Sequence, residues 1–320
     1  MITYTKTNFI ETLVKKCYNL FDLHIVLFAS ISVSFAYLFT ILNEEVNGFN
    51  LIKHSASLSS ILSVFNFFFA TLLSFRLNSA FNSWSNGYNN VCKLVNASKR
   101  FMCIAKSKKN EVFVNNIRQS IISYVSHVFY YCSNSNGRND VDGIRNEFLN
   151  QQQLYKLDQL SSVSSSYYKK DVLESTLKST VILSLLERDI RNSISICRQQ
   201  DIINYLEAEN LNVLLNDICI IGDVLFNMAN IPIVLVYNQF INVTILFYLI
   251  VYGMNMAISS HYYSGIWVFI WSSVVFMANN VCNQIDTPFG DEENDIELEI
   301  VLVRLKDDIS IICSDNLIIT

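Results

Sequence analysis

Proline is nearly missing from this chain, with two residues in 320, and glycine is scarce at eight. Both interrupt regular backbone, so their scarcity argues against a turn-rich β architecture and for long helices. Charge is thin as well. Asp, Glu, Lys and Arg make up 16% of the residues, against about 25% in soluble domains. Catalytic chemistry is poorly supplied. The four histidines, His24, His54, His127 and His261, sit in no nucleophile–base spacing, and no Gly-rich phosphate loop is present. An enzyme is not expected. The eight cysteines (Cys17, Cys92, Cys103, Cys132, Cys197, Cys219, Cys282, Cys313) form no CxxC. They read as small buried hydrophobes in a reducing compartment.

What is present is apolar: 51% of the chain is hydrophobic and 13% aromatic. A hydrocarbon core of about 30 Å needs roughly 20 apolar residues in a helix. Four stretches meet or approach that length: 23–42, 58–75, 233–252 and 262–278. Each carries small polar residues, among them Ser30, Ser32, Ser34, Ser63, Asn66, Asn238, Asn242, Ser272 and Ser273. Such residues let helices approach closely in a bilayer or bond back to their own backbone. For Asn66 the expected partner is a neighbouring helix. The polar, basic first 22 residues are followed by no short apolar run with a small-residue cleavage site, so a cleaved signal peptide is not expected.

Basic residues set the expected orientation. Residues 76–110 hold seven (Arg76, Lys93, Lys99, Arg100, Lys106, Lys108, Lys109) and no acid, and Lys6, Lys15 and Lys16 lie near the N-terminus. The 253–261 loop has no charge. Both termini and the long middle region are therefore expected on the cytoplasmic side. The expected order is an N-terminal segment 1–22, two membrane helices in 23–75, a helical region 76–230, two more crossings in 231–279, and a C-terminal segment 280–320. Within 76–230, Val114, Ile117, Ile121, Val125, Val128 and Cys132 recur at helical spacing. So do Leu173, Leu177, Ile182, Leu185, Leu186, Ile190 and Ile194, and then Ile218, Ile221, Val224 and Leu225. Residues 133–143 and 161–168 read as breaks. Nucleic-acid binding has one basic stretch in its favour and a membrane address against it.

Three motifs organise nearly the whole chain. Phe75, Arg76, Asn78, Phe81 and Trp84 lead into Leu94, Asn96, Ser98 and Lys99. IPIVLVYNQ occupies 231–239. Pro288, Phe289 and Gly290 precede an acidic run. In this order they resemble the bestrophin family. Departures are Ser83-Trp84-Ser85-Asn86 where that family usually has Arg-Trp-Trp-Glu, Tyr88 for an arginine, Val91 for a tryptophan, and Val234 for a second proline.

The resemblance implies an all-α membrane protein with four transmembrane helices and a large cytoplasmic helical region. It also implies a homopentamer around one central pore, passing chloride, bicarbonate or other small monovalent anions. The neck positions fall on Phe67, Thr71 and Phe75, spaced i, i+4, i+8 on one helix face. Aromatic edges carry partial positive charge and suit a partly dehydrated anion. A threonine ring lowers the dewetting barrier relative to an apolar one. A stripe of this kind also fits lipid-facing or packing roles. Arg76, at the expected end of the second helix, either snorkels to the interface and neutralises the helix dipole or attracts anions. A cytoplasmic constriction is expected among Ile202, Ile203 and Leu206, with Ile203 favoured. Residues 286–299 hold seven acids, and Gln284, Glu292 and Asp295 stand at positions suited to a possible Ca²⁺ site; no cofactor is otherwise required. The alternative reading for the acids is a solvated run at a helix N-terminus. Two other functions compete: a monovalent cation channel of the bacterial type, and a non-conducting membrane scaffold.

Overall fold

The computed structural model describes residues 23–45, 55–107, 110–134, 171–230, 235–289 and 295–314. Among them the regular structure is helical, with no strand. In chain order the helices are α1 (Leu23–Glu45), α2 (Ser55–Lys106), α3 (Glu111–Asn134), α4 (Asp171–Gln199) and α5 (Tyr205–Asn230). Then come α6 (Leu235–Ser260), a 3₁₀ turn (His261–Tyr263), α7 (Ser264–Asp286) and α8 (Leu298–Cys313). Helix α2 runs 52 residues without proline and with Gly87 as its one glycine. Nothing in its backbone chemistry requires a stop at Phe75, where the apolar run ends, and the helix continues to Lys106.

The chain divides into two compact units. The first comprises Met1–Ser85 and Pro232–Pro288. Here α1, α6 and α7 pack on one another. Leu62 and Phe69 of α2 join Ile241, Ile245, Tyr248, Leu249 and Val251 of α6 and Val275 of α7 in one buried cluster. The α1–α7 contact depends on Gly265, because a Cβ there would lie 2.7 Å from ring atoms of Tyr37. The serines of α1 bond back along their own helix: Ser30 donates to the Val26 carbonyl at 2.7 Å and Ser34 to that of Ser30 at 2.9 Å.

The second unit comprises Asn86–Ile231 and Phe289–Thr320. Helix α3 is its centre, packed against α4, α5 and α8. Asn110 caps α3 by accepting the Phe113 N–H at 3.0 Å. The helical pattern read on α3 is buried throughout: Val114, Ile117, Ile121, Val125, Val128 and Cys132 are each at most 3% exposed. On α4, Leu186, Ile190 and Ile194 are equally enclosed, while the side chains of Leu173 and Leu177 lie outside the described residues. Val224 departs from the pattern, exposed on α5 beside buried Leu225. Arg118 of α3 donates to the Ser310 hydroxyl of α8 at 2.8 Å.

Among the described residues four stretches are long and apolar enough to cross a membrane: Ile25–Asn43, Ser55–Lys106, Tyr205–Ala229 and Tyr237–Asp286. Three of them overlap the four segments read from the sequence, α6 and α7 falling in one stretch. Tyr205–Ala229 was not expected. It is α5, which buries Leu211, Leu215, Ile218 and Leu225 in the second unit and leaves Glu209, Asn216, Asp217 and Asp223 exposed. Its apolar content serves packing on α3 and α4. Of the breaks read at 133–143 and 161–168, Ser133 and Asn134 still belong to α3, and the rest lies outside the described residues.

Candidate functional site

The expected neck residues stand on α2 in the first unit. Phe67 is 78% exposed and Phe75 63%. Thr71, half-buried between them, donates its hydroxyl to the Phe67 carbonyl at 2.8 Å. Two large apolar rings are thus held outward along one line of a helix whose opposite side packs on α6. The hydroxyl proton of Thr71 is engaged by the backbone, so its oxygen presents lone pairs outward.

Behind this line runs a chain of hydrogen bonds. Trp271 Nε1 of α7 donates to the Tyr248 hydroxyl at 2.9 Å, and that hydroxyl donates to Asn66 Oδ1 at 2.9 Å. Phe69 stacks on the Tyr248 ring with centroids 4.3 Å apart. Asn66 therefore has the neighbouring-helix partner that its place in an apolar segment requires. Tyr248 and Trp271 were not singled out from the sequence. The available signal is that each brings a polar tip into an apolar helix and needs a partner there.

Arg76 is placed differently from expectation. It is 2% exposed, and α2 continues for thirty residues beyond it (106 − 76). It does not meet a helix C-terminus. Its Nη2 donates to Asn283 Oδ1 of α7, while Nε and Nη1 are buried without a hydrogen-bond partner. The bond ties α2 to α7, and the dipole reading, which needs a helix end at this position, does not hold. Ser83 adds a weaker contact, its hydroxyl 3.4 Å from the Asp286 carbonyl.

The other motif residues fall in both units. Asn78 and Asn96 are exposed, Trp84 is half-buried, Pro288 is buried, and Phe289 is 2% exposed. Gly290 lies outside the described residues.

The constriction candidates separate at the α4–α5 turn. Asp201 takes a left-handed φ of 56°. Its N–H bonds the Arg198 carbonyl at 3.1 Å, and the Ile202 N–H bonds that of Cys197 at 3.0 Å. This paired closure ends α4, with aspartate in the position that glycine usually fills. Three residues on, Asn204 and Glu207 exchange backbone and side-chain bonds at 2.9 and 3.0 Å, a capping box that starts α5. Between these two stops Ile203 turns inward and is 2% exposed, Ile202 is half-buried, and Leu206 projects at 65%. The preference for Ile203 is therefore corrected: its side chain is enclosed by its own protomer. Tyr205, under the Arg198 guanidinium at 4.9 Å from the ring centre, is exposed beside Leu206.

Among the described residues no three His, Cys, Asp or Glu side chains gather to hold a metal. Asp295 is buried at 6% and belongs to the second unit, Gln284 belongs to the first, and Glu292 lies outside the described residues. The cysteines mostly fit the small-hydrophobe reading. All seven described are free, and burial pushes the Cys132 thiol up to about 12. Cys132, Cys197, Cys219 and Cys282 are buried, Cys92 and Cys313 half-buried, and Cys103 exposed.

The profile of the Bacterial/Fungal Bestrophin protein family matches residues 8–310. Among curated proteins none matches. Solved structures match over the whole fold. A mutant bacterial bestrophin homologue from Klebsiella pneumoniae superposes with a TM-score of 0.70 at 12% identity, covering 90% of this chain and 98% of that one. The form phased on zinc gives 0.68 at 11% identity, covering 91% and 97%. A structure described as a membrane protein gives 0.72 at 11%, covering 92% and 100%.

Proposed function

The chain belongs to the bestrophin family, and on that premise we propose that it is a homopentameric channel for chloride, bicarbonate and similar monovalent anions, with Phe67, Thr71 and Phe75 lining its neck. One observation carries the neck assignment. Two phenylalanines eight residues apart on one helix are 78% and 63% exposed, while Phe69 between them is 6% exposed. Five copies around an axis give two aromatic rings with a hydroxyl ring between them. The apolar rings exclude bulk water, and their edges favour an anion that has shed part of its shell. Leu206 takes the place of Ile203 as the proposed second constriction. The apolar stretches support a multi-pass protein, and the distribution of Lys and Arg supports cytoplasmic termini.

A second reading has its own observation. Because the Thr71 proton is engaged with the Phe67 carbonyl, a ring of Thr71 oxygens offers acceptors, which suit a cation. A reversal potential for the purified protein in a planar bilayer under a KCl gradient decides between them. A value near the chloride equilibrium supports the anion channel, and one near the potassium equilibrium replaces it with the cation channel. No current from an intact pentamer supports the scaffold. Thr71→Ile restores an apolar ring and is expected to lower conductance; equal conductance defeats the proposed role of the hydroxyl. The possible calcium site at Gln284, Glu292 and Asp295 is tested in the same bilayer, where added Ca²⁺ is expected to raise open probability.

A further inference from the structure

The motif around Asn96 and Lys99 has no part in the neck. Both residues line a cavity of about 610 Å³ in the second unit, with Arg100, Cys103 and Ile104 of α2 and Leu214 of α5. Asn96, Lys99, Arg100 and Cys103 stand at i, i+3, i+4 and i+7, on one face of a single helix. The same segment is anchored on its other side, where Leu94, Ser98, Phe101 and Met102 are fully buried. The donors are therefore held on a rigid element and not on a loop.

Among the described residues no carboxylate lines the cavity. Lys99 is ion-paired with Asp308 of α8, which fixes its ammonium at the wall and offsets its charge. Arg100 is exposed and makes no ion pair or hydrogen bond among the described residues. Its planar fork of N–H donors matches two oxygens of one anion. Asn96 adds a neutral donor one turn earlier, and Ile104 and Leu214 supply an apolar wall. The volume falls within the range of about 300–1,000 Å³ typical of small-molecule sites. Such a site takes a ligand with an anionic head and an apolar body.

We propose that this cavity binds a small phosphate monoester, its phosphate on Arg100 and Asn96 and its body against Ile104 and Leu214. That chemistry is shared by soluble phosphorylated metabolites and by phosphorylated lipid headgroups.

Cys103, exposed on the cavity wall, reports occupancy without any current being measured. Full-length protein is treated with iodoacetamide, and alkylation is followed peptide by peptide. Phenyl phosphate at ten times its dissociation constant is expected to slow the reaction at Cys103 about tenfold. Cys92, which does not line the cavity, should react at an unchanged rate. Arg100→Ala, an exposed substitution, should remove the protection, and Arg100→Lys should keep part of it. Protection by nanodiscs containing phosphatidylinositol phosphate, without protection by phenyl phosphate, supports the site with lipid as the source. Protection by phenyl phosphate supports it with a soluble ligand. Absence of protection by both, or equal protection in Arg100→Ala, overturns the proposal.

Discussion

The two halves of α2 obey opposite rules. Between residues 61 and 75 one face packs Leu62 and Phe69 inward, and the other carries apolar side chains away from the protomer: Val64 is 70% exposed, Phe67 78% and Phe75 63%. Between 91 and 105 they point inward, with Leu94, Phe101, Met102 and Ala105 all fully buried. The outward side of that second half carries Asn89, Lys93, Asn96 and Arg100. Backbone geometry is the same throughout; what changes is the medium that the exposed face must tolerate. An exposed phenylalanine is unfavourable against water and neutral against lipid, an apolar pore ring or another subunit. Exposure in the first half therefore marks function or assembly, and burial in the second marks stability.

The sharpest way to break this contrast is to truncate one aromatic in each half. Phe101→Ala opens a cavity in a closed core and is expected to cost about 3–5 kcal/mol. Phe67→Ala is expected to leave the unfolding midpoint within roughly 0.5 kcal/mol of the parent while altering conductance. Comparable losses of stability in the two variants, followed by denaturant titration in micelles, would erase the distinction. Next in size is Asn283→Ala. It removes an amide hydrogen-bond acceptor of a 2% exposed guanidinium, and leaving that group less satisfied is expected to cost about 1–3 kcal/mol. A neutral result would mean that Arg76 finds water. The smallest effect is expected from Tyr248→Phe, which keeps the stack on Phe69 but strands Asn66 and Trp271. About 1 kcal/mol of stability should go, with a change in open probability because the chain abuts Phe67. Unaltered gating would limit the Trp271–Tyr248–Asn66 chain to a structural role.

Much of the fold was legible because burial in a helical bundle leaves a 3.6-residue imprint. Ile117, Ile121, Val125 and Val128 repeat on that period and are all fully enclosed. The shared face of Phe67, Thr71 and Phe75 was equally legible as a spacing, since residues four apart align on any helix. Three features were not. The end of the apolar run at Phe75 looked like a helix end, yet polarity alone does not break a helix that lacks proline. The burial of Arg76 depends on Asn283, 207 positions away, and no local pattern announces such a partner. At Ile202, Ile203 and Leu206, two helix phases meet across a turn. Which isoleucine faces inward was decided by the left-handed Asp201 and the Asn204–Glu207 box, not by periodicity. The departure at Val224 has a similar origin, because the buried stripe of α5 is narrower than its apolar composition suggests.

The unbroken length of α2 has a geometric consequence. At about 1.5 Å per residue its 52 residues extend roughly 78 Å, while the hydrocarbon of a bilayer occupies about 30 Å. Less than half of the rod fits within lipid. With no proline to end it at the edge of the hydrocarbon, the remainder continues beyond, so one helix presents side chains to two media.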